Sequence, residues 1–518
     1  MTDSVVVGQH ITLADVHRVA RLGVPARLCE TAERALDSTR ALLERSLAEG
    51  DTIYGVNTGF GALSETRIPA DKLGDLQRNL LRSHAVGVGP ELGRDVVRAL
   101  LLLRAHTLAL GASGVRPVVP RRLLELLAAD LLPVVPSQGS VGASGDLAPL
   151  AHLALPVIGE GWIGQAGQRV PAAIALAEAG IAPLELAPKE GLSLINGTQV
   201  TTAITALAIH DAGELMQAAD ILGALSLDGM LGTMRICDPR IHAGKPHPGQ
   251  RKTAETIAAL ISGSALNRSH ANCGQVQDAY SLRCMPQVHG AARTALHYVA
   301  DAVAIELDSF TDNPLVLLAD PSEDHPRGFD VLSGGNFHAG SVALPADHAC
   351  AALTTLATIS ERRIDRFCTP EASRGLPAFL TDDPGLESGF MMAQVTAAAL
   401  ASECKGLSMP ACVDTIPTSA GKEDHVSMGP IAARKLAAVV RNLARVLAIE
   451  AASAARAIDL REQPSSERLM RVHAVIRRYV APFTGDRSMS DEFEALADAI
   501  VRGELREAAG LPPEFSDR

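Results

Sequence analysis

The stretch Pro136-Ser-Gln-Gly-Ser-Val-Gly-Ala-Ser-Gly-Asp-Leu-Ala-Pro149 is the most informative part of this chain. Its residues are mostly small, and its glycines permit tight backbone conformations that other residues resist. Such a loop can press the amide nitrogen of Gly145 onto the carbonyl carbon of Ala143. Ring closure and the loss of two waters, one of them from Ser144, would give a methylidene-imidazolone with an electrophilic CH2 group. The stretch therefore predicts an electrophile that the chain makes from its own backbone.

The tetrapeptide Gly-Ala-Ser-Gly also occurs earlier, at 111–114. This first copy directly follows the apolar run 96–110, so Gly111 is expected to end a helix. In a chain of this composition and length, one copy of the tripeptide is expected by chance. We therefore predict a structural role for the first copy and cyclisation for the second.

Composition predicts a mainly α-helical protein. The chain has 518 residues, of which 47% are hydrophobic, 20% are charged and 3% are aromatic. These proportions suit helices packed around one or two large cores. Helical periodicity is clearest at 73–81 and 493–501, and alternating strand patterns are confined to 163–170 and 315–332. A further charge-free segment, 191–210, carries too many polar residues for a lipid-facing span and predicts a helix buried in protein.

Proline and glycine density divides the chain into two parts. It is high between residues 111 and 190, and long apolar helical patterns dominate afterwards. We expect a loop-rich N-terminal domain at 1–200, which carries the Ala-Ser-Gly loop, and a central and C-terminal helical part at 201–518.

Charge and cysteine usage narrow the classes of partner and compartment. A net charge of -12 offers no basic stripe for nucleic acid or an anionic membrane, so a small-molecule ligand is expected. The eight cysteines show no CxxC pair, and the start of the chain is polar. We therefore expect a cytoplasmic protein with reduced thiols.

Three conventional kinds of site fit the sequence poorly. The segment 159–164 matches G-x-G-x-x-G, but no helix pattern follows it and Trp162 occupies space that a pyrophosphate needs. A serine hydrolase elbow around Ser144 would require glycine where Asp146 stands. His242 and His247 lie in a Pro/Gly loop without further metal ligands nearby, so no metal is expected.

Three polar segments are costly to bury for stability alone. Tyr54–Gly61 is a glycine-punctuated loop with a phenol, and Gln277, Tyr280 and Arg283 are spaced to share roughly one helical face. Tyr280 can equally be an amphipathic core residue of a capped helix. The segment 423–425 can equally be a solvated helix start, so each segment taken alone leaves both interpretations open.

Taken together, these segments closely resemble the histidine and aromatic amino acid lyases that carry a methylidene-imidazolone. Ordered matches run along nearly the whole chain, at 54–61, 76–84, 142–150, 195–199, 280–284, 335–338 and 423–428. The resemblance implies that Ala143-Ser144-Gly145 is the cyclising tripeptide and that no metal or dissociable cofactor is used. It also implies a mainly α fold with an elongated helical bundle, and a homotetramer whose active sites draw residues from several subunits.

The resemblance also implies a role for each matching residue. Ammonia elimination needs removal of a weakly acidic β-proton and activation of a poor leaving group. Tyr54 is the expected base, and Arg283 is expected to bind the substrate carboxylate. Asn196 and Tyr280 are expected to orient the substrate amine and the prosthetic ring. Gln277 is expected to support the site, and Phe337 is expected to pack against the ring system.

Two positions bear on the substrate. His84 and Glu423 match positions where histidine-specific members carry His and Glu, and a carboxylate suits an imidazole that donates or carries charge. We therefore expect L-histidine as substrate, with trans-urocanate and ammonia as products. Two alternatives stay open, a tyrosine ammonia-lyase or tyrosine 2,3-aminomutase of the same family, and a non-catalytic helical scaffold. The sequence departs from the common pattern at Gly421-Lys422 and by a longer loop at 321–329.

Overall fold

The computed structural model describes residues 4–165 and 167–515, and helices dominate it, as predicted. Most of the long helices lie after residue 198, which agrees with the change in composition along the sequence. In chain order the helices are α1 (Leu13–Arg21), α2 (Glu30–Ala48), α3 (Leu73–His84), α4 (Arg94–Ala109), α5 (Val118–Ala128), α6 (Leu147–Ala154), α7 (Ala172–Glu178), α8 (Glu190–Ile195), α9 (Gln199–Gly229), α10 (Pro239–Ala243), α11 (Pro248–Ile261), α12 (Ala265–Ser269), α13 (Tyr280–Arg283), α14 (Met285–Leu307), α15 (Gly340–Cys368), α16 (Met391–Leu407), α17 (Gly429–Asp459), α18 (Glu467–Tyr479), α19 (Ser490–Val501) and α20 (Glu504–Ala509).

Short strands form four small sheets around the helices. A parallel pair joins the first two strands, and the other sheets are antiparallel. The two segments with alternating patterns, 163–170 and 315–332, contain strands, as predicted, and the strands of each segment pair antiparallel. The strands are β1 (Val5–Val7), β2 (Ala26–Leu28), β3 (Val88–Glu91), β4 (Leu132–Pro133), β5 (Pro136–Gln138), β6 (Trp162–Gln165), β7 (Gln168–Pro171), β8 (Leu315–Leu318) and β9 (Phe329–Leu332).

Four long helices, α9, α14, α15 and α17, pack together as the centre of the bundle. Helix α9 is buried along nearly its whole length, because alanine, leucine and isoleucine occupy all of its faces. Among the described residues, α15 alone is long and apolar enough to span a membrane by length and composition. It packs on α14, α16 and α17, and 61% of its most apolar window is buried. Its composition is therefore accounted for by packing in the protein core.

Local signals in the sequence located several helix ends correctly. Helix α4 ends at Ala109, and Gly111 adopts the left-handed φ of 87° that favours glycine after a helix. The first tripeptide copy then runs beside β8, where Val316 donates a backbone hydrogen bond to the carbonyl of Ala112. The periodic segment at 493–501 lies in α19, as expected.

Two helix predictions need correction. The segment 191–210 is not one helix, because the chain breaks at Asn196-Gly197-Thr198 between α8 and α9. Gln277 does not lie on a helical face, since α13 begins only at Tyr280. Asn196, Gly197 and Thr198 interrupt the segment 191–210, and Gly197 pairs with Gly145 of the Ala-Ser-Gly loop.

The division near residue 200 coincides with the start of α9. This helix packs against α1 and α4 from the first part and against α14, α15 and α17 from the second. One apolar core runs through both parts. We propose residue 200 as the point where a loop-rich region gives way to the helical bundle.

Candidate active site

A cavity of about 790 Å³ brings the separated sequence motifs together. The loop 54–68, helix α3, the break between α8 and α9 and the segment 419–423 form its walls. Six of the residues singled out in the sequence line it, namely Tyr54, His84, Ser144, Asn196, Phe337 and Glu423. Lys422 also lines the cavity, so one of the two departures from the family pattern lies directly at the site.

The second tripeptide is held on one side by the break between α8 and α9. Gly145 pairs with Gly197 in an isolated β-bridge, and its φ of 79° favours glycine. A Cβ atom on Gly145 would collide with the backbone of Gly197. The Asn196 Nδ2 atom donates to the carbonyl oxygen of Ser144 at 2.7 Å. The helix break therefore supplies both the space and the donor that this loop needs.

The other side of the loop is held by the start of α17. Ser427 Oγ donates to the carbonyl oxygen of Gly142 at 2.9 Å, and the amide of Met428 donates to the carbonyl of Val141 at 2.8 Å. Ala143 packs with Val426 and Met428 in a small apolar cluster. Contacts on both sides therefore fix the backbone around the tripeptide.

The hydroxyl of Ser144 contacts the carboxylate that the sequence singled out. Ser144 Oγ donates to Glu423 Oε1 at 2.6 Å, and Thr418 Oγ1 donates to Glu423 Oε2 at 2.5 Å. Glu423 stands at the end of a turn in which Ser419, Ala420 and Gly421 all have positive φ. Such backbone strain in non-glycine residues is typical of functional segments.

The phenol of Tyr54 lines the same cavity. Its Oη accepts a hydrogen bond of 3.1 Å from the backbone amide of Gly61. Its ring meets the ring of Phe60 edge to face, with 6.4 Å between the centroids.

His84 is the last residue of α3. Burial lowers the pKa of His84 below its ordinary value, although the nearby Glu423 acts in the opposite direction. The Nδ1 atom lies 2.9 Å from the carbonyl oxygen of Leu80. Since a carbonyl can only accept, Nδ1 carries the proton and Nε2 is an acceptor.

Two buried ionisable side chains, Arg104 and Asp146, hold the backbone at the break between α8 and α9. Arg104 is fully buried, and its Nη1 donates to the carbonyl of Asn196 at 2.9 Å and to Gln199 Oε1 at 2.6 Å. Burial lowers the pKa of Arg104 to about 10. Asp146 accepts bonds from the Thr201 amide at 2.8 Å and from Thr201 Oγ1 at 3.1 Å. These contacts fix the backbone on which Asn196 and Gly197 stand.

Asp146 should make the stability of the fold depend on pH. Burial raises the pKa of Asp146 to about 7 from an ordinary value of 3.8. The folded chain therefore holds this proton more tightly than the unfolded chain, so the stabilising contribution is complete below about pH 4 and is lost as the pH rises to about 7. Between about pH 5 and pH 7, the free energy of unfolding of the wild type should fall by about 2 to 3 kcal/mol more than that of Asp146→Asn, which lacks the titrating carboxyl group. Denaturant unfolding at several pH values measures this, and parallel curves for the two proteins would contradict it.

Three of the sequence-predicted residues lie elsewhere on the chain. Tyr280 is 71% exposed, and the Arg283 guanidinium stacks on its ring at 5.0 Å. Gln277 lines a different cavity, whose other lining residues lie mostly within 231–278. Within this chain, these three side chains are not among the residues that line the cavity with Tyr54 and Glu423.

The histidines considered as metal ligands have structural roles. His242 is buried, and its two ring nitrogens lie 2.9 Å from the carbonyl of Ile236 and 3.0 Å from Gln250 Nε2. His247 precedes α11 as its capping residue. Among residues 4–165 and 167–515, no three His, Cys, Asp or Glu side chains group in a way that could hold a metal ion.

Sequence reasoning missed two residues that shape the site. Thr418 and Arg104 carry no recognisable motif, and their importance follows only from their contacts with Glu423 and Asn196. Arg104 nevertheless gave a signal, because it is a charged residue inside the apolar run 96–110.

The longer loop at 321–329 joins β8 to β9 and its Arg327 pairs with Asp51, away from the residues that line the cavity.

Comparison with known proteins agrees with this geometry. A family model described as aromatic amino acid lyase matches residues 11–478. A histidine ammonia-lyase from Sorangium cellulosum is 52% identical over 505 residues, covering 96% of this chain and 97% of that protein. The crystal structure of a tyrosine aminomutase from Streptomyces globisporus superposes with a TM-score of 0.92 at 37% identity, covering 98% of each chain. That of a histidine ammonia-lyase from Trypanosoma cruzi superposes with a TM-score of 0.89 at 37% identity, covering 99% of this chain and 96% of the other.

Proposed function

Because this chain belongs to the aromatic amino acid lyase family, we propose that it is an ammonia-lyase that converts L-histidine to trans-urocanate and ammonia. The observation that carries the proposal is the contact between Ser144 and Glu423 in one cavity with Tyr54, His84 and Asn196. The cavity thus combines the tripeptide that can become an electrophile with a carboxylate that suits an imidazole.

We further propose that Ala143-Ser144-Gly145 forms a methylidene-imidazolone. The loop fits this group, because Gly145 needs the freedom of glycine and Asn196 donates to the carbonyl of Ser144, which would belong to the ring. The group supplies an electrophilic carbon that makes the substrate amine a better leaving group. No metal or dissociable cofactor is part of the proposal.

Tyr54 is the proposed base for the β-proton of the substrate. The amide of Gly61 donates to its oxygen and would stabilise the negative charge that proton removal requires. With Tyr54 as the phenolate, the proton passes from the β-carbon to Tyr54 Oη, the C–H electrons form the double bond between the α- and β-carbons, and the Cα–N bond breaks with its electron pair going to the amine nitrogen. Asn196, with its Oδ1 buried and without a partner among the described residues, can accept a hydrogen bond from the substrate amine.

The substrate carboxylate requires a cation, and we propose that a second subunit provides it. Arg283 presents a guanidinium beside the exposed ring of Tyr280, on a surface away from the cavity of its own chain. In a homotetramer with shared sites, Arg283, Tyr280 and Gln277 of one subunit would complete the cavity of another. Arg283 would then hold the carboxylate as a bidentate pair, and Phe337 would pack against the prosthetic ring. We place this assembly in the cytoplasm.

Substrate choice rests on Glu423 and His84 in this proposal. A phenyl ring beside Glu423 would leave Oε1 without a partner in a partly desolvated site, although Oε2 keeps its bond from Thr418, at a cost of a few kcal/mol. An imidazole N–H can donate to Glu423, and in the imidazolium form the second ring N–H can donate to the acceptor Nε2 of His84. Incubation of the protein with L-histidine, L-tyrosine and L-phenylalanine, followed by measurement of ammonia and of the unsaturated acid, tests this directly. Formation of a β-amino acid from tyrosine would instead support the aminomutase, the reaction of the structurally similar Streptomyces protein.

Replacing Glu423 with glutamine should lower kcat/KM for L-histidine by about 100-fold or more, because a charge-assisted hydrogen bond to the substrate is lost. The rate is expressed per mature site, counted by intact mass. Asp424→Asn is the matched control, since Asp424 is the exposed neighbouring carboxylate. Unchanged histidine kinetics in Glu423→Gln would remove the basis for the substrate assignment.

A further inference from the structure

The side chain that must lose its oxygen during maturation is already in contact with a carboxyl group that can exchange a proton with it. Formation of the proposed electrophile requires Ser144 Oγ to leave as water, and a hydroxyl leaves poorly unless it receives a proton. Ser144 Oγ lies 2.6 Å from Glu423 Oε1. This is hydrogen-bond distance, within which a proton can move between the two oxygens.

The surroundings direct Glu423 Oε1 onto Ser144. Thr418 Oγ1 holds the other oxygen, Oε2, at 2.5 Å, and the backbones of Thr418 and Glu423 pair across the strained turn. Val426 and Met428 pack against Ala143, the residue before Ser144. The carboxyl group is therefore ordered before any substrate binds.

The other atoms of Ser144 are also prepared for dehydration. Its carbonyl oxygen accepts from Asn196 Nδ2 at 2.7 Å, and Asn196 is itself fixed by buried Arg104. A hydrogen bond to this carbonyl stabilises the charge that appears when the Cα proton of Ser144 is removed. Asn196 and Glu423 thus act on the two ends of the bond that becomes the CH2 double bond.

We propose that Glu423 is a catalytic residue of maturation, acting as the acid that protonates Ser144 Oγ as it leaves. This rests on the proposed function, since it assumes that the tripeptide cyclises. In ring closure, the Gly145 nitrogen bonds to the Ala143 carbonyl carbon, and the carbonyl oxygen leaves as water with the two amide hydrogens. In dehydration, the Cα proton of Ser144 goes to solvent, and the Cβ–Oγ bond breaks. Oγ then leaves as water with its own hydrogen and the proton from Glu423, which solvent replaces.

One carboxyl group would then serve two tasks in succession. As long as Ser144 keeps its hydroxyl, Glu423 Oε1 is bonded to it. After dehydration that partner is gone, and Oε1 becomes free to accept from the substrate. Maturation thereby creates the acceptor that the proposed substrate-binding role needs, while Thr418 keeps it in place.

The test is a time course of intact mass during refolding of the full chain, for wild type, Glu423→Gln, Glu423→Ala and Asp424→Asn. We expect wild type and Asp424→Asn to lose two waters. Glu423→Gln and Glu423→Ala should retain the Ser144 oxygen, with its loss slowed by about 100-fold or more. Peptide mapping locates the retained oxygen, and circular dichroism verifies that each variant has folded.

The outcomes separate the two proposals. If wild type loses no water, the proposed electrophile does not form and the proposed function fails. If wild type matures and a folded Glu423 variant loses the Ser144 oxygen at the same rate, the role of Glu423 in maturation is overturned while the proposed function stands. A folded Glu423 variant that loses the Ser144 oxygen but retains the carbonyl oxygen of Ala143 would likewise overturn the role of Glu423 in dehydration. The use of two different substitutions keeps the test decisive when one of them fails to fold.

Discussion

Replacing Ser144 with alanine is expected to abolish ammonia release from L-histidine while the helical fold is retained. Without the Ser144 hydroxyl no CH2 double bond can form, so the amine keeps its poor leaving ability and kcat should fall by at least about 10³-fold. The lost hydrogen bond to Glu423 costs only about 1 kcal/mol, since Ser144 lies at the cavity wall. Ammonia release and intact mass, measured on the same sample, give the result.

The first tripeptide copy offers a matched control for this change. Ser113→Ala removes a hydroxyl from the same Ala-Ser-Gly context, but Ser113 is buried behind α4 and outside the residues that line the cavity. This variant should lose two waters and release ammonia as wild type does. Full activity in Ser144→Ala, or absence of the water loss only in Ser113→Ala, would show that the wrong tripeptide has been assigned.

Replacing Tyr54 with phenylalanine is expected to lower kcat/KM for L-histidine by about 10²- to 10⁴-fold, the usual contribution of a positioned base. The change leaves the ring and its edge contact with Phe60 in place but removes the oxygen that accepts from Gly61. Because Tyr54 takes no part in cyclisation in this proposal, the loss of two waters should be unaffected. Steady-state kinetics together with intact mass distinguishes a lost base from a failed maturation.

Tyr479→Phe serves as the control for this second change. Tyr479 ends α18, and its hydroxyl donates to Glu504 at the start of α20. Removing this hydroxyl therefore tests the general effect of losing a phenol. Activity close to wild type is expected for this variant. A Tyr54→Phe protein that turns over histidine at the normal rate would exclude Tyr54 as the base.

Much of the fold followed from local sequence signals, because those signals act over a few residues. The helix stop at Gly111 and the strands within 163–170 and 315–332 lie where glycine chemistry and side-chain alternation predicted them. The helix predicted for 191–210 was wrong in one respect. Its hydrophobic and small residues favour a continuous helix, but Gly197 pairs with Gly145 from a distant loop, and no periodicity in the segment reports that partner.

The chemistry of the site was determined by the sequence, through the Ala143-Ser144-Gly145 loop and the polar segments around Tyr54 and Glu423. A motif states which atoms are available, and the resemblance to a family states how they are used. What only the tertiary structure decided is which groups touch. Thr418 orients Glu423, Arg104 fixes Asn196, and Glu423 contacts Ser144, a residue 279 positions away in the chain. Such contacts depend on how helices and loops pack at long range, and residue types and local spacing carry no record of them.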